Sequence, residues 1–583
     1  MRFVVAIVLF VVAFVGIGLG IAQRTVLAGP DHVTVETTTS GTAPVTVIDG
    51  SILNALPGTQ TIDASGSETV FLAYGRTADV LAWVGDASYN LLEWDTEAQT
   101  LGSSVQAGLE ATVPAPSGSD LWVQEFSGVE ELTRKINVPA DASILIVGDG
   151  ETPAPSSISI TWPLDNSAPW SGPLIVGGGL ALLAGLAAFV WALLHARRAR
   201  GPRRKQPKLP KPPKPPQLRP AKQRKAIEAA PPRGRRRLFA ASGVAVVTAL
   251  ALGGCTFSGT PELFPVETPT ASPTPGAAGT EDLPAPAVTR PQLERIMERI
   301  ETTVAEADAE GDEDLAETRL AGPALELRAA NYEILSSDSS QTAVPVLPQG
   351  PVEVILPQQI DTWPRTVFAV VKDENATVAP VAVMLIQETP RDNYKAHYVI
   401  SLGPSTTLPD MAATAIGAPR VGTDVALGVL QPSELADAYG DILLNGDESE
   451  YAVFFDAETD TLREQIGAEY KESVKTSLPA TAKVTFSNVA GDEDPIAFGT
   501  NDAGLLVAVE LVEVEKVTPV EAGAAINPRD RVKALIGLSQ TTKGVEARYG
   551  VQLLFYVPPV AEEGALIQLL GYSQGLISAT EVD

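Results

Sequence analysis

Few residues of this chain can do chemistry, and their spacing limits what they do. There is one cysteine, Cys255, preceded by Leu252, Gly253 and Gly254, and there are three histidines. A lone cysteine cannot form an internal disulfide, and a Cys/His zinc site is short of ligands. Gly571-Tyr572-Ser573-Gln574-Gly575 has the G-x-S-x-G spacing that lifts a nucleophilic serine onto a strained strand-to-helix turn. That chemistry needs an acid and a histidine later in the chain, and no histidine follows Gly575. His397 alternates with Tyr394, Ala396 and Tyr398, as an ordinary sheet residue does. Asp312-Glu313-Asp314 and Asp492-Glu493-Asp494 have the D-x-D form that holds a metal against nucleotide-sugar phosphates, but no doubly wound βαβ pattern surrounds them. A calcium loop starting at Asp308 fails because Gly311 falls at its fourth position and not its sixth. Both triplets are expected to be solvated acidic loops. No Walker A motif, H-E-x-x-H pair or Gly-rich phosphate loop occurs. The expectation is a non-catalytic protein with no catalytic, cofactor-binding or metal-binding residue.

The elements around these residues are organised by charge. The 583 residues carry a net charge of −29, yet residues 197–237 hold 17 Lys/Arg against the single acid Glu228, in a stretch broken by ten prolines. The rest is correspondingly acidic: residues 24–172 carry −15 and residues 256–583 carry −31. Separation of this kind has a simple cause if the pieces lie on opposite sides of a membrane. Residues 3–22 and 174–194 are uncharged apolar runs, long enough at ~1.5 Å per residue to cross a bilayer core of ~30 Å. His195, Arg197, Arg198 and Arg200 follow the second run, a basic flank that stays cytoplasmic. The first run exceeds a signal-peptide core and lacks an A-x-A cleavage pattern, so an uncleaved anchor is expected. Gly16 and Gly20, with Gly177, Ala181 and Gly185, give small-xxx-small spacing for close helix packing.

A third apolar run, residues 238–254, follows Arg235-Arg236-Arg237 and ends in Leu252-Gly253-Gly254-Cys255. This order resembles a bacterial lipobox placed inside the chain. The resemblance implies diacylglycerol on Cys255 and cleavage between Gly254 and Cys255; it departs from the usual pattern in following two spans and a loop. The alternative is an ordinary third span. The next residues, rich in Pro, Thr, Ser and Ala, suit an extended tether. The basic loop is expected to fix topology and rest on anionic lipid. Acidic outer surfaces repel nucleic acid, which is not an expected partner.

Residues 24–172 show short alternating strands, among them 69–74, 80–84, 121–126, 144–147 and 158–162, which predict an antiparallel β-sandwich. Five tryptophans fall there: Trp83, Trp94 and Trp122 as expected core, Trp162 and Trp170 as an interfacial belt before the second span. From residue 290 the pattern turns helical. Leu293, Ile296, Ile300, Val304 and Ala307 form one stripe behind Pro291, a second helix is expected over 314–335, and strands follow. The order recurs from Pro432, with a further helix over 459–476. Helices followed by long strands, with Gly322-Pro323-Ala324-Leu325 in the second helix, resemble nuclear-transport-factor-2-like domains. That resemblance implies two α+β cones over residues 287–583. The layout as a whole resembles uncharacterised envelope membrane proteins and lipoproteins of Gram-positive bacteria, which implies location and no activity.

The expected organisation is a multi-domain membrane protein with two to three transmembrane helices. It comprises an anchor (1–23), an extracytoplasmic β-sandwich (24–172), a second span (173–195) and a basic Pro-rich cytoplasmic loop (196–237). A third span or internal lipoprotein signal (238–255), a linker (256–286) and two cones (287–425 and 426–583) follow. The expected function is a lipid-anchored binding or assembly module on the outer face of a bacterial cytoplasmic membrane, with residues 24–172 and 256–583 outside. Expected partners are the bilayer and envelope proteins or cell-wall glycan. One rival is an enzyme acting on cell-wall glycan or lipid-linked sugar, which requires a cavity in 287–583 holding two acids of perturbed pKa. Another is a membrane-tethered carbohydrate-binding protein, which requires exposed tryptophans in 24–172.

Overall fold

Long apolar runs without charge fold as helices because each backbone group is then satisfied within the segment. The computed structural model describes residues 2–39, 41–164, 166, 169–199, 285–348, 350–373, 378–403, 406–562 and 564–582. It begins with helix α1 (Arg2–Arg24), followed by β1 (His32–Thr38), β2 (Val45–Asp49), α2 (Gly50–Leu53), β3 (Gln60–Arg76) and α3 (Thr77–Val84). Strands β4 (Tyr89–Asp95), β5 (Thr100–Gln106), β6 (Gln124–Ile136), β7 (Ala142–Val147) and β8 (Ser157–Pro163) lead into α4 (Ser171–Ala199). The lipobox residues Leu252, Gly253, Gly254 and Cys255 lie outside the described residues, as do the third apolar run, most of the basic loop and nearly all of the linker.

The chain divides into two compact units. The first contains α1 and α4, both long and apolar enough to cross a membrane. Val4, Val11, Phe14, Leu180 and Leu183 are all more than half exposed, which suits helices meant for lipid more than a water-facing bundle. The helices touch through small residues. A β-carbon on Gly178 would come within 2.8 Å of the Ile17 side chain, whereas one on Gly177 would meet nothing within 4 Å. The expected motif therefore shifts by one residue: Gly16, Gly20 and Gly185 are at the contact, and Gly178 replaces Gly177.

The second unit joins residues 34–162 with the C-terminal region. In its N-terminal lobe eight strands form one sheet in the order β1-β8-β3-β7-β2-β4-β5, with β6 also on β3. Pairing is antiparallel except for the parallel β2–β4 pair, a departure from the all-antiparallel expectation. The central strands are buried on both faces: Ile144 and Ile146 of β7 enter one apolar cluster, Leu145 and Val147 the other. Residues 80–84, expected as a strand, belong to α3. Val80, Trp83 and Val84 are buried at helical spacing, a face that a short apolar run cannot distinguish from a strand. Trp162 is also corrected: it is fully buried in the core, its Nε1–H donating to the Leu53 carbonyl at 2.8 Å.

The C-terminal region opens with α5 (Arg290–Glu310), whose Thr289–Gln292 capping box and Pro291 fix its start. All five residues of the expected stripe are buried. The expected second helix is two: α6 (Glu313–Glu317) and α7 (Gly322–Ser337), because Gly322 takes φ 49° and Pro323 begins a new helix. Strands β9 (Val352–Pro357), β10 (Arg365–Val371), β11 (Val381–Gln387), β12 (Lys395–Leu402) and β13 (Arg420–Val421) follow, then α8 (Leu435–Asn445). The helix expected over 459–476 is divided at Gly467 into α9 (Thr461–Ile466) and α10 (Ala468–Ser477). Strands β14 (Ala482–Ala490), β15 (Ile496–Gly499), β16 (Leu505–Pro519), β17 (Gly544–Val557) and β18 (Gln568–Val582), with α11 (Asp530–Ile536) after β16, complete the chain.

These strands form a single ten-stranded sheet, β13-β15-β16-β17-β18-β12-β11-β10-β9 with β14 on β16. The expected halves 287–425 and 426–583 meet inside it where β12 pairs with β18, Ser401 opposite Tyr572. The sheet curls until its edges meet. Gln358, just past β9, bridges Ala418, just before β13, and the Ala418 N–H donates to the Pro357 carbonyl at 3.0 Å. Phe368 and Met384 from one half and Phe498, Leu506 and Leu554 from the other share one core. The two α+β halves are thus one barrel-like sheet, in a β-rich multi-domain protein.

Candidate functional site

The two lobes of the second unit dock through two buried aspartates. Asp79 on α3 takes the Arg76 guanidinium at 2.8 Å and Arg365 Nη2 of β10 at 2.7 Å. Arg365 also stacks its guanidinium 3.6 Å over the Trp363 ring, which packs against the Trp83–Trp122 cluster of the N-terminal lobe. Asp120, whose side chain is fully buried, accepts from Arg319 Nη1 at 2.6 Å, Arg299 Nη1 at 3.2 Å and the Tyr394 backbone N–H at 2.9 Å. Arg391 donates to the carbonyls of Trp83 and Val84 at 2.9 Å and pairs with Glu110. Each buried aspartate meets opposite charge through more than one donor, the condition under which a buried carboxylate survives loss of water.

Two cavities flank α7. The larger, of about 1070 Å³, lies between α7 and the β12–β18 junction, with Leu327, Asn331, Val399 and Tyr572 in its wall. Its volume is that of a small-molecule pocket. The G-x-S-x-G forms part of the same wall, but within strand β18, paired residue by residue with β17. Ser573 Oγ accepts the Ser401 backbone N–H at 3.1 Å, and no turn presents the serine as a nucleophile. His397 packs its ring over Gly322, outside that wall, and burial holds its pKa down at about 4, with Arg420 adding to the shift.

The smaller cavity, about 720 Å³, lies on the other side of α7. The acidic triplets, expected as independent loops, meet here: Glu313 and Asp492 are both in its wall. Asp312 itself caps α6 through the Leu315 N–H. Glu326 and Glu333 come from α7, and Arg548 from β17 is the one base in the lining. Glu510 of β16 reaches the pocket from the face that carries Leu506 and Ala508 into the shared core. It is 4% exposed. Burial, reinforced by Glu326, Asp492 and Glu493, raises its carboxyl to about 8. Glu326 is raised too, by burial and then by Asp492 and Glu493. Sequence reasoning missed Glu510, although a signal existed: it is the one charge in the apolar run 505–512. Among the described residues no group of three or more His, Cys, Asp or Glu is set to hold a metal.

The rival enzymatic reading asked for a cavity with acids of perturbed pKa, and Glu510 with Glu326 supplies one. The carbohydrate-binding reading asked for exposed tryptophans. Trp83, Trp122 and Trp162 are at most 2% exposed, and Trp94 packs against Trp162 at 5.5 Å. Only Trp170, 69% exposed ahead of α4, remains open among the five, so no stacking platform forms.

A family model described as a domain of unknown function (DUF8094) matches residues 284–581. No curated protein and no solved structure matches the chain.

Proposed function

The chain belongs to the family described as a domain of unknown function (DUF8094), and from that premise we propose that it is a non-catalytic cell-envelope membrane protein. In this reading it is a lipid-anchored binding or assembly module on the outer face of a bacterial cytoplasmic membrane. The observation that carries the reading is the buried docking of Asp79 and Asp120 onto Arg365, Arg299 and Arg319. If α1 and α4 both cross, connectivity puts the N-terminal lobe on one side and the end of α4 on the other. A C-terminal region docked on that lobe must then share its side, so the chain has to return through the membrane after α4. The apolar run 238–254 is suited to that return, and it delivers Cys255 to the leaflet where lipidation occurs. The basic flank of α4 argues that both lobes face outward. Apart from α11, each half of the C-terminal region keeps helices before strands, which supports reading the barrel as a fused pair of nuclear-transport-factor-2-like units.

The test is intact mass of the membrane-extracted protein, with protease digestion of spheroplasts. The expected result is a fragment beginning at diacylated Cys255, with both lobes digested from outside. An unmodified full-length chain removes the lipid anchor; protected lobes with a digested basic loop overturn the sidedness.

A second reading, an extracytoplasmic enzyme acting on cell-wall glycan or lipid-linked sugar, is favoured by one observation. Glu510 is a carboxyl held protonated near neutrality beside a second acid, the pairing that acid–base glycan chemistry uses. Release of reducing ends from purified wall glycan by the native protein, lost in Glu510→Gln, would support it. No release by the native protein would exclude it for that substrate.

A further inference from the structure

We propose that the pocket between α7 and the β16–β17 ladder binds an organic cation, an ammonium or guanidinium group on a stem long enough to reach the Glu510 carboxylate. Glu510 is almost wholly buried at the pocket, and among the described residues neither a hydrogen bond nor an ion pair engages its carboxylate. A buried polar group left in that state is costly, and protonation relieves the charge without supplying a partner. The fold makes room for the group. A β-carbon on Gly491 would collide with Glu510 Oε2, and one on Gly550 would come within 3.0 Å of Oε1.

The approach to Glu510 is negative. Glu326 and Glu333 from α7, Glu313 from α6 and Asp492 from the turn after β14 surround the pocket. Arg548 is the only base among them and forms no ion pair with any of these carboxylates. Exposed carboxylates leading to a buried one concentrate cations at the mouth and reward the one whose charge reaches the floor. A bare metal ion fits poorly. No three ligating side chains among the described residues converge on one point, and the volume is that of a molecule.

Binding should be linked to protons. The groups facing Glu510 are Glu326 on α7, Asp492 and Glu493 in the turn after β14, and Arg548 on β17; the buried Tyr398 hydroxyl on β12 also senses its charge. With its carboxyl near 8, Glu510 is largely protonated at pH 7. An arriving cation displaces that proton, so affinity rises by up to about tenfold per pH unit as pH approaches 8.

The inference goes beyond the envelope-module reading and is independent of sidedness, because it is tested on purified protein. Full-length protein in detergent is titrated calorimetrically with cadaverine, a linear diamine, at pH 7 in two buffers of different ionisation enthalpy. The expected result is saturable one-to-one binding with release of up to one proton. Affinity should fall at least tenfold in Glu510→Gln and severalfold in Glu326→Gln, which lies at the exposed mouth and keeps the test valid if the buried variant misfolds. Glu472→Gln, an exposed acid on α10, should bind normally. No saturable heat, equal affinity in both pocket variants, or full displacement by an equal concentration of magnesium would overturn the proposal.

Discussion

Asp79 and Arg365, 286 positions apart in sequence, meet at 2.7 Å with neither side chain more than 2% exposed. The pair joins α3 of one lobe to β10 of the other. Among the described residues Arg365 has no other carboxylate partner, and its Nε and Nη1 make no hydrogen bond. Asp79→Ala therefore leaves a buried guanidinium without its counter-charge, a change that costs about 3–5 kcal/mol. Asp361→Ala removes a half-exposed carboxylate 3.6 Å from Arg76 and should cost less than about 1 kcal/mol. Urea denaturation of the two variants beside the native protein measures the difference. Equal stabilities would mean that the lobes are held by something other than the aspartates.

The same contacts predict that the lobes stay together when the chain between them is cut. Besides the ion pairs, Gln292 and Arg295 on α5 donate to the carbonyls of Leu121 and Trp122 at 3.1 and 2.9 Å. With a protease site inserted near residue 270, the cleaved fragments should co-elute from a sizing column at physiological salt. Combining Asp79→Ala with Asp120→Ala should separate them. Processing before Cys255 would then leave a two-chain complex in place of a released domain.

How far the sequence disclosed this arrangement depended on the range of the interaction. The stripe Leu293, Ile296, Ile300, Val304 and Ala307 announces α5 because a helix meets its core at every third or fourth residue, and the structure buries all five. The apolar runs at 367–371 and 381–386 are strands as expected, although runs this short and continuously buried fit a helix by periodicity as well. Residues 80–84 misled because five residues of an apolar run carry too little periodicity to separate a strand from a helix. The docking aspartates were invisible. Asp120 looks like any loop acid until Arg319, 199 positions later, is brought to it. The acidic pocket lay between these extremes. Its triplets read singly as solvated loops, because only the fold brings Glu313, Asp492 and Glu510 to one cavity.

Stability should fall on both sides of a maximum in weakly acidic solution. Glu510, raised to about 8, and Glu301 on α5, raised to about 7 by burial and then by Glu298, hold protons that the unfolded chain releases from about pH 4.5 upward. Their contribution is complete below that pH and is lost as pH climbs through 7 and 8. His397 has the opposite sign. Its folded pKa of about 4 lies below the ordinary value, so stability drops as pH falls from 6.5 toward 4. Thermal midpoints measured from pH 4 to 9 should trace this dome, and Glu510→Gln should flatten its alkaline limb. An unchanged alkaline limb in that variant would show that Glu510 is ionised in the folded protein at neutral pH.

The helix pair offers a test one residue wide. A side chain at Gly178 would meet the Ile17 side chain and backbone, and the Ala13 carbonyl at 3.0 Å, whereas a side chain at Gly177 would meet open space. Backbones that approach this closely are held by dispersion contacts that only a hydrogen on Cα permits. Gly178→Ile should therefore force α1 and α4 apart, while Gly177→Ile, identical in composition and hydropathy, should leave them packed. Cysteines placed at Leu9 and Gly185, where a β-carbon on Gly185 would lie 3.2 Å from that of Leu9, in a Cys255→Ala chain, with cross-linking yield read in membranes, distinguish the two. The yield should fall severalfold in Gly178→Ile and hold in Gly177→Ile. Equal losses would point to a general disturbance of α4, and equal retention would mean that the helices do not pack through this face.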